Sequence, residues 1–264
     1  IQAGPGSSVS SDLMNVNGTL FFTANTTTEG NELWKSDGTT AGTLLVQDIN
    51  PGSASSSPTR ITAVNADVYF NATQGGTQYL MKTTGGGTGV TTLNNTVVSG
   101  GTFVSFFGFA NKLFFMYDGY KPGIPSTATG REPWVSDGTN AGTMLVKDIN
   151  TVISANNANP ASYASAGNNV YFAATNSSNG GELWKTDGTE AGTVLLKDII
   201  PGSSSSSPAN LTNVNGTIFF TANATGFGIE LWKTDGTAAG TVMVKDIRTG
   251  SSSSSPTLLT ASGS

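Results

Sequence analysis

The sequence has no cysteine and no histidine among its 264 residues, and these two absences exclude a wide range of chemistry. Without cysteine there is no disulfide framework, no thiol nucleophile and no thiolate metal site. Without histidine the commonest general base and zinc ligand are missing. Charge is scarce as well: Asp, Glu, Lys and Arg make up 11% of the chain, for a formal net charge of −5. No basic run exists, so nucleic-acid binding has no electrostatic footprint. No apolar run approaches the ~20 residues that a helix needs to cross a bilayer, so no membrane insertion is expected. The chain opens on Ile1 rather than Met, which reads as a processed chain or a piece of a longer one.

What is abundant is glycine, serine, threonine and asparagine around short apolar clusters such as Leu20-Phe21-Phe22 and Ile218-Phe219-Phe220. That composition suits many turns and short strands. Self-similarity then organises the chain. Glu32-Leu33-Trp34-Lys35-Ser36-Asp37-Gly38-Thr39 returns at 182–189 and at 230–237, with a variant at 132–139 beginning Glu132-Pro133-Trp134. A worn copy, Tyr79-Leu80-Met81-Lys82-Thr83-Thr84-Gly85-Gly86, fills the remaining slot. The key positions Trp34, Met81, Trp134, Trp184 and Trp232 are spaced by 47, 53, 50 and 48 residues.

Each unit reads as four strands. A short strand A turns at a pair such as Asn17-Gly18 or Asn215-Gly216, a hairpin signal because both residues accept positive φ. Strand B is the aromatic run, strand C carries Glu-Leu-Trp-Lys, and strand D ends in Lys-Asp-Ile. A Ser-rich linker, such as Ser53 to Ser57, Ser203 to Ser207 or Ser251 to Ser255, reads as a flexible connection. Four strands per unit of this length predict an all-β, five-bladed β-propeller in one domain over 1–264. The blades are expected over 9–50, 58–97, 98–150, 161–200 and 208–248, with a surplus C-terminal strand over 256–264. That strand could substitute at ring closure, mark excision from a longer array, or pair with a neighbouring protomer and so give self-association.

On these motifs the chain resembles the ELWxxDGT-repeat family, and the resemblance covers nearly the whole sequence. It implies a bacterial, secreted or surface-attached protein. No reaction is attached to the repeat.

The repeat also filters candidate residues. Of 17 acidic residues, twelve sit at three repeat positions: Glu32, Glu132, Glu182 and Glu230; Asp37, Asp137, Asp187 and Asp235; Asp48, Asp148, Asp198 and Asp246. An active site needs one asymmetric constellation, so repeated carboxylates read as scaffold. In Asp-Gly-Thr the carboxylate is expected to accept backbone N–H bonds while Gly takes positive φ. The strand C Glu is expected to pair with a lysine such as Lys35 or Lys197. Repeated calcium ligation is the alternative, but the loops lack the dense Asp/Asn spacing of calcium loops, so neither metal nor cofactor is expected. Trp34, Trp134, Trp184 and Trp232 read as inter-blade core, because Met81 occupies the same slot.

Departures from the repeat are where binding is sought. The third blade carries an insertion from Met116 to Arg131 that groups Tyr117, Asp118, Tyr120, Lys121 and Arg131, the candidate ligand-binding residues. Asn-x-Ser/Thr triplets, at Asn17, Asn71 and Asn210 among others, leave glycan attachment open. The expected function is non-enzymatic binding at or outside the bacterial surface, with a glycan or cell-surface polymer as partner. A structural building block of a surface layer, filament or adhesin stalk is the second reading, and a carboxylate-dependent glycoside hydrolase the third.

Overall fold

The computed structural model describes residues 12–93, 101–118, 130–151 and 157–262. Among them there is no helix, and every strand belongs to one of five antiparallel four-stranded sheets. The first holds β1 (Met14–Val16), β2 (Thr19–Thr26), β3 (Gly30–Ser36) and β4 (Leu44–Gln47). The second holds β5 (Thr59–Val64), β6 (Asp67–Gln74), β7 (Thr77–Thr84) and β8 (Thr91–Thr92). The third holds β9 (Phe103–Phe109), β10 (Lys112–Tyr117), β11 (Glu132–Ser136) and β12 (Met144–Leu145). The fourth holds β13 (Ala161–Ala166), β14 (Asn169–Asn176), β15 (Gly180–Thr186) and β16 (Val194–Lys197). The fifth holds β17 (Ala209–Val214), β18 (Thr217–Ala224), β19 (Gly228–Thr234) and β20 (Val242–Lys245). Each sheet runs in chain order, which is a β-propeller fold built of meander sheets. The chain divides into two compact units, Ile1–Ile124 with Val135–Met144 and Pro125–Trp134 with Leu145–Ser264.

Local chemistry explains the sheets. Asn17 and Gly18 take φ of 51° and 85°, and Asn215 and Gly216 take 50° and 86°, the left-handed pair that a tight two-residue hairpin requires. Strand A carries a bulge that the sequence does not announce. Register shifts between Thr59 and Thr62, Ala161 and Ala164, and Ala209 and Thr212. The residue inside each shift, Arg60, Ser162 or Asn210, has a φ of 55° to 58°. Such bulges add local twist.

Alternation along the strands divides each sheet into two apolar faces. In the first unit, Val16, Phe21, Leu33, Val46 and Ile49 of the first sheet pack with Ile61, Val68, Phe70, Ala72 and Met81 of the second. In the second unit, Tyr171, Leu183 and Leu196 of the fourth sheet pack with Ile218, Phe220, Ala222 and Trp232 of the fifth. The interface pattern is the same in both: a face built on Leu33 or Leu183 meets a face built on Met81 or Trp232. A fully buried Phe or Leu contributes about 1.5–3 kcal/mol, so these stacks dominate stability.

The expected surplus strand is present only in part. Residues 256–262 form no strand. They lie along β17, where Thr212 Oγ1 donates to the Leu259 carbonyl at 3.2 Å.

Candidate functional site

The repeated glutamate is the most engaged polar group. Glu182 is buried, and its carboxylate accepts from Ile199 N at 3.0 Å, Ser206 N at 2.9 Å and Ser206 Oγ at 2.6 Å. Glu32 does the same with Ile49 N, Ser56 N and Ser56 Oγ, and Glu230 with Ile247 N, Ser254 N and Ser254 Oγ. Glu132 accepts from Ile149 N and Ala158 N. The expected Glu–Lys pairing is therefore corrected. A buried carboxylate needs several donors, and amides of its own repeat supply them. The lysines go elsewhere: Lys35 Nζ donates to the Gly86 and Gly87 carbonyls, and Lys197 Nζ to the Thr241 carbonyl. The Ser-rich linkers are corrected with it, for Ser56 and Ser206 are buried and held.

Environment sets the protonation of these groups. Burial raises the pKa of Glu32 and Glu182, opposed by the hydroxyl and amide bonds of Ser56 and Ser206. Glu132 has Ala158 where the others have serine, and burial pushes it up to about 8. At Glu230 the burial penalty is outweighed by the bonds from Ser254, Ile247 and Arg248, and the pKa falls below its ordinary value. Asp48 and Asp198 lie near enough to raise Glu32 and Glu182 further by like charge. With Asp148 beside Glu132, three sheets thus hold similar acidic pairs, whereas catalysis asks for one asymmetric pair. Among the described residues no three acidic side chains are grouped as a metal site requires.

The Asp-Gly-Thr turn has the expected form. Asp37 Oδ1 accepts from Thr39 N at 2.9 Å and Thr39 Oγ1 at 2.7 Å, and Gly38 has a φ of 91°. The bonds recur at Asp137, Asp187 and Asp235. The Thr hydroxyl holds Asp37, Asp137 and Asp235 below the usual carboxylate pKa. A further layer is hidden in the sequence: Thr39 Oγ1 accepts from Gly42 N, and any Cβ at Gly42 would collide with the Asp37 carboxylate. Trp134, Trp184 and Trp232 are buried core residues, and Trp34 is half-buried.

The candidate binding loop fares differently. Tyr117 ends β10, is 1% exposed and stacks on Phe103 with ring centroids 4.5 Å apart. Burial, with Asp118 second, pushes its phenol above the ordinary pKa. Tyr117 is thus a core residue and not a binding aromatic. The physical reason is that strand B continues past its aromatic run in every sheet, to Thr26, Gln74, Asn176 and Ala224 in the others, so β10 takes Met116 and Tyr117 into the sheet. Asp118 accepts a bond from Thr102 N. Arg131 N donates to Asn157 Oδ1 at 2.8 Å. Tyr120 and Lys121 lie outside the described residues.

No family model matches the sequence, and no curated protein matches it. Solved structures do match its fold. The chain is similar to a puromycin-hydrolyzing peptidase from Mycobacterium tuberculosis (TM-score 0.53, 14% identity, covering 92% of this chain and 38% of that one). It is similar to oligopeptidase B from Leishmania major (TM-score 0.53, 10% identity, 91% and 34%). TolB from Acinetobacter baumannii also matches (TM-score 0.45, 11% identity, 87% and 53%). The chain spans about half the length of that TolB and well under half of the two peptidases. At these identities the likeness is one of fold, and the fold is a β-propeller.

Proposed function

We propose that this chain is a non-enzymatic structural module of a bacterial extracellular or surface-attached assembly. One observation carries the reading: in four sheets the same buried carboxylate spends its hydrogen bonds on its own repeat. A group committed to closing a loop is not poised to move a proton on a substrate. The peptidases of similar fold are much longer chains, and nothing of their chemistry transfers at 10–14% identity. The extracellular, bacterial placement rests on the resemblance to the ELWxxDGT repeat. The glycan-binding reading has less support, because its leading aromatic, Tyr117, is in the core.

The test is a screen of the full chain on a glycan array and on fluorogenic glycosides and peptides. Neither retention nor turnover is expected. Turnover abolished by Glu132→Gln, or a specific glycan hit abolished by Arg131→Ala, would overturn the module reading.

A further inference from the structure

The strand A bulge needs little from its side chains, as two sheets show. In the fourth, the bulge is flanked by the Ala161–Ala173 pair, and Ser162 makes no side-chain bond among the described residues. In the fifth, Ala209, Asn210 and Thr221 stand at the same three positions. There Asn210 Nδ2 donates to Thr221 Oγ1 at 3.1 Å, and Thr221 Oγ1 donates to the Ala209 carbonyl at 3.2 Å. Short neutral side chains therefore suffice. The second sheet departs from this at all three positions, with Thr59, Arg60 and Asn71.

The three departures bond to one another. Thr59 Oγ1 donates to Asn71 Oδ1 at 2.9 Å. Arg60 Nη1 donates to Thr59 Oγ1 at 3.1 Å and to Asn71 Oδ1 at 3.3 Å. Asn71 is 2% exposed, so its end of the network is fixed inside the sheet. Arg60 is half-buried, whereas Ser162 and Asn210 are exposed. It holds a φ of 58°, a region that Asn enters more readily than a long side chain does.

What Arg60 lacks is an anion. All 17 acidic residues of the chain are among the described ones, and none forms an ion pair with it. Asp12 Oδ2 accepts from Arg60 N at 3.1 Å, at the backbone and not at the guanidinium. Both guanidinium bonds leave from Nη1. Nε–H and Nη2–H share the opposite edge, run parallel and have no partner among the described residues. That edge matches the two oxygens of a carboxylate. A guanidinium drawn partly out of water gains more from such a partner than one on an open surface does.

From this we infer that Arg60, held in place by Thr59 and Asn71, is a binding site for a single carboxylate. A monoanion fits and a dianion does not: the site has one cation, Asp12 stands beside it, and a sulfate would leave the negative charges in excess. The carboxylate comes either from a free small acid or from an acidic side chain of a partner polypeptide. The site goes beyond the module reading, which names no ligand, and does not depend on it.

Nuclear magnetic resonance of the full chain tests it, because Arg60, Arg131 and Arg248 are the only arginines and give three Nε–H signals. At neutral pH and constant ionic strength, the signal lost in Arg60→Lys is expected to shift saturably with acetate and to stay in place with sulfate. A capped Glu-containing peptide that saturates it at lower concentration than acetate bears out the site and assigns it to a partner polypeptide; saturation by acetate alone bears it out for free acids. Asn71→Thr, the fifth-sheet residue, is expected to weaken acetate binding about tenfold by freeing Nη1. Arg60→Asn, also the fifth-sheet residue, is expected to melt no lower than the wild type. A signal that acetate and the peptide leave in place, an equal shift with sulfate, wild-type affinity in Asn71→Thr or a lower melting temperature in Arg60→Asn would each overturn the site. None of these outcomes touches the module reading, which the glycan and substrate screens decide.

Discussion

The fourth and second sheets occupy equivalent places in the repeat but meet its demands differently. The fourth keeps Glu182, Trp184 and the Asp187-Gly188-Thr189 turn; the second has Tyr79, Met81 and Thr84-Gly85-Gly86. In the second, Gly85 N bonds the Ala66 carbonyl and Gly87 N the Thr84 carbonyl, so backbone closes the turn without the Asp. Lys82 pairs with Asp67 at 3.0 Å, where Lys185 instead reaches a loop carbonyl. Met81 is as buried as Trp184. The apolar slot asks only for volume, and the turn can be closed by either backbone or side chain. At the glutamate position the second sheet has Tyr79, whereas Glu182 gathers the amides of Ile199 and Ser206, 17 and 24 positions later in the chain, at one carboxylate.

The sharpest way to break the comparison is at the apolar slot. Trp184→Ala should cost about 4 kcal/mol and Met81→Ala about 3, read by urea unfolding, because cavity cost scales with the volume removed. Equal costs would mean the second sheet had repacked around Met81. Next, Glu182→Ala should cost about 3 kcal/mol by leaving the half-buried Ile199 amide and the buried Ser206 amide without an acceptor, whereas Tyr79→Ala should cost about half as much. Third, pH separates the glutamates. Glu132 has a folded pKa of about 8 against an ordinary 4.5. The folded state holds the extra proton, so this contribution is full below 4.5 and is lost as pH rises through about 8. Melting temperature should fall between pH 5 and 9, and Glu132→Gln should flatten that slope. Ala158→Ser, which supplies the hydroxyl found at Ser206, should shift the transition to lower pH. The smallest effect is at the lysines: Lys197→Met should cost under about 1 kcal/mol, since the bond lies near the surface.

How much of this was legible follows from where each signal resides. The hairpins, the aromatic strands and the Asp-Gly-Thr turns were readable because Asn17-Gly18 and Asp37 act on residues one or two positions away. The partner of Glu32 was not, because its donors at Ile49 and Ser56 are distant in sequence and a run of serines does not mark which one is held. The strand A bulge was invisible for another reason: Arg60, Ser162 and Asn210 share a backbone conformation but no side-chain property. Tyr117 misled because strand B continues beyond its aromatic run in every sheet, and in β10 that continuation takes in Met116 and Tyr117.

The glutamate contact has a mechanical consequence. Glu182 ties β15 to Ser206, so tension entering through the linker is met inside that repeat before it reaches the next. A protein anchored at a surface and pulled from outside would yield in separate steps, one tether at a time. Stretching the chain with an atomic force microscope should give a saw-tooth record with one tooth per glutamate-bearing sheet, and Glu182→Ala should remove one tooth. Low-complexity serine runs would then be not slack but the sites where load is caught.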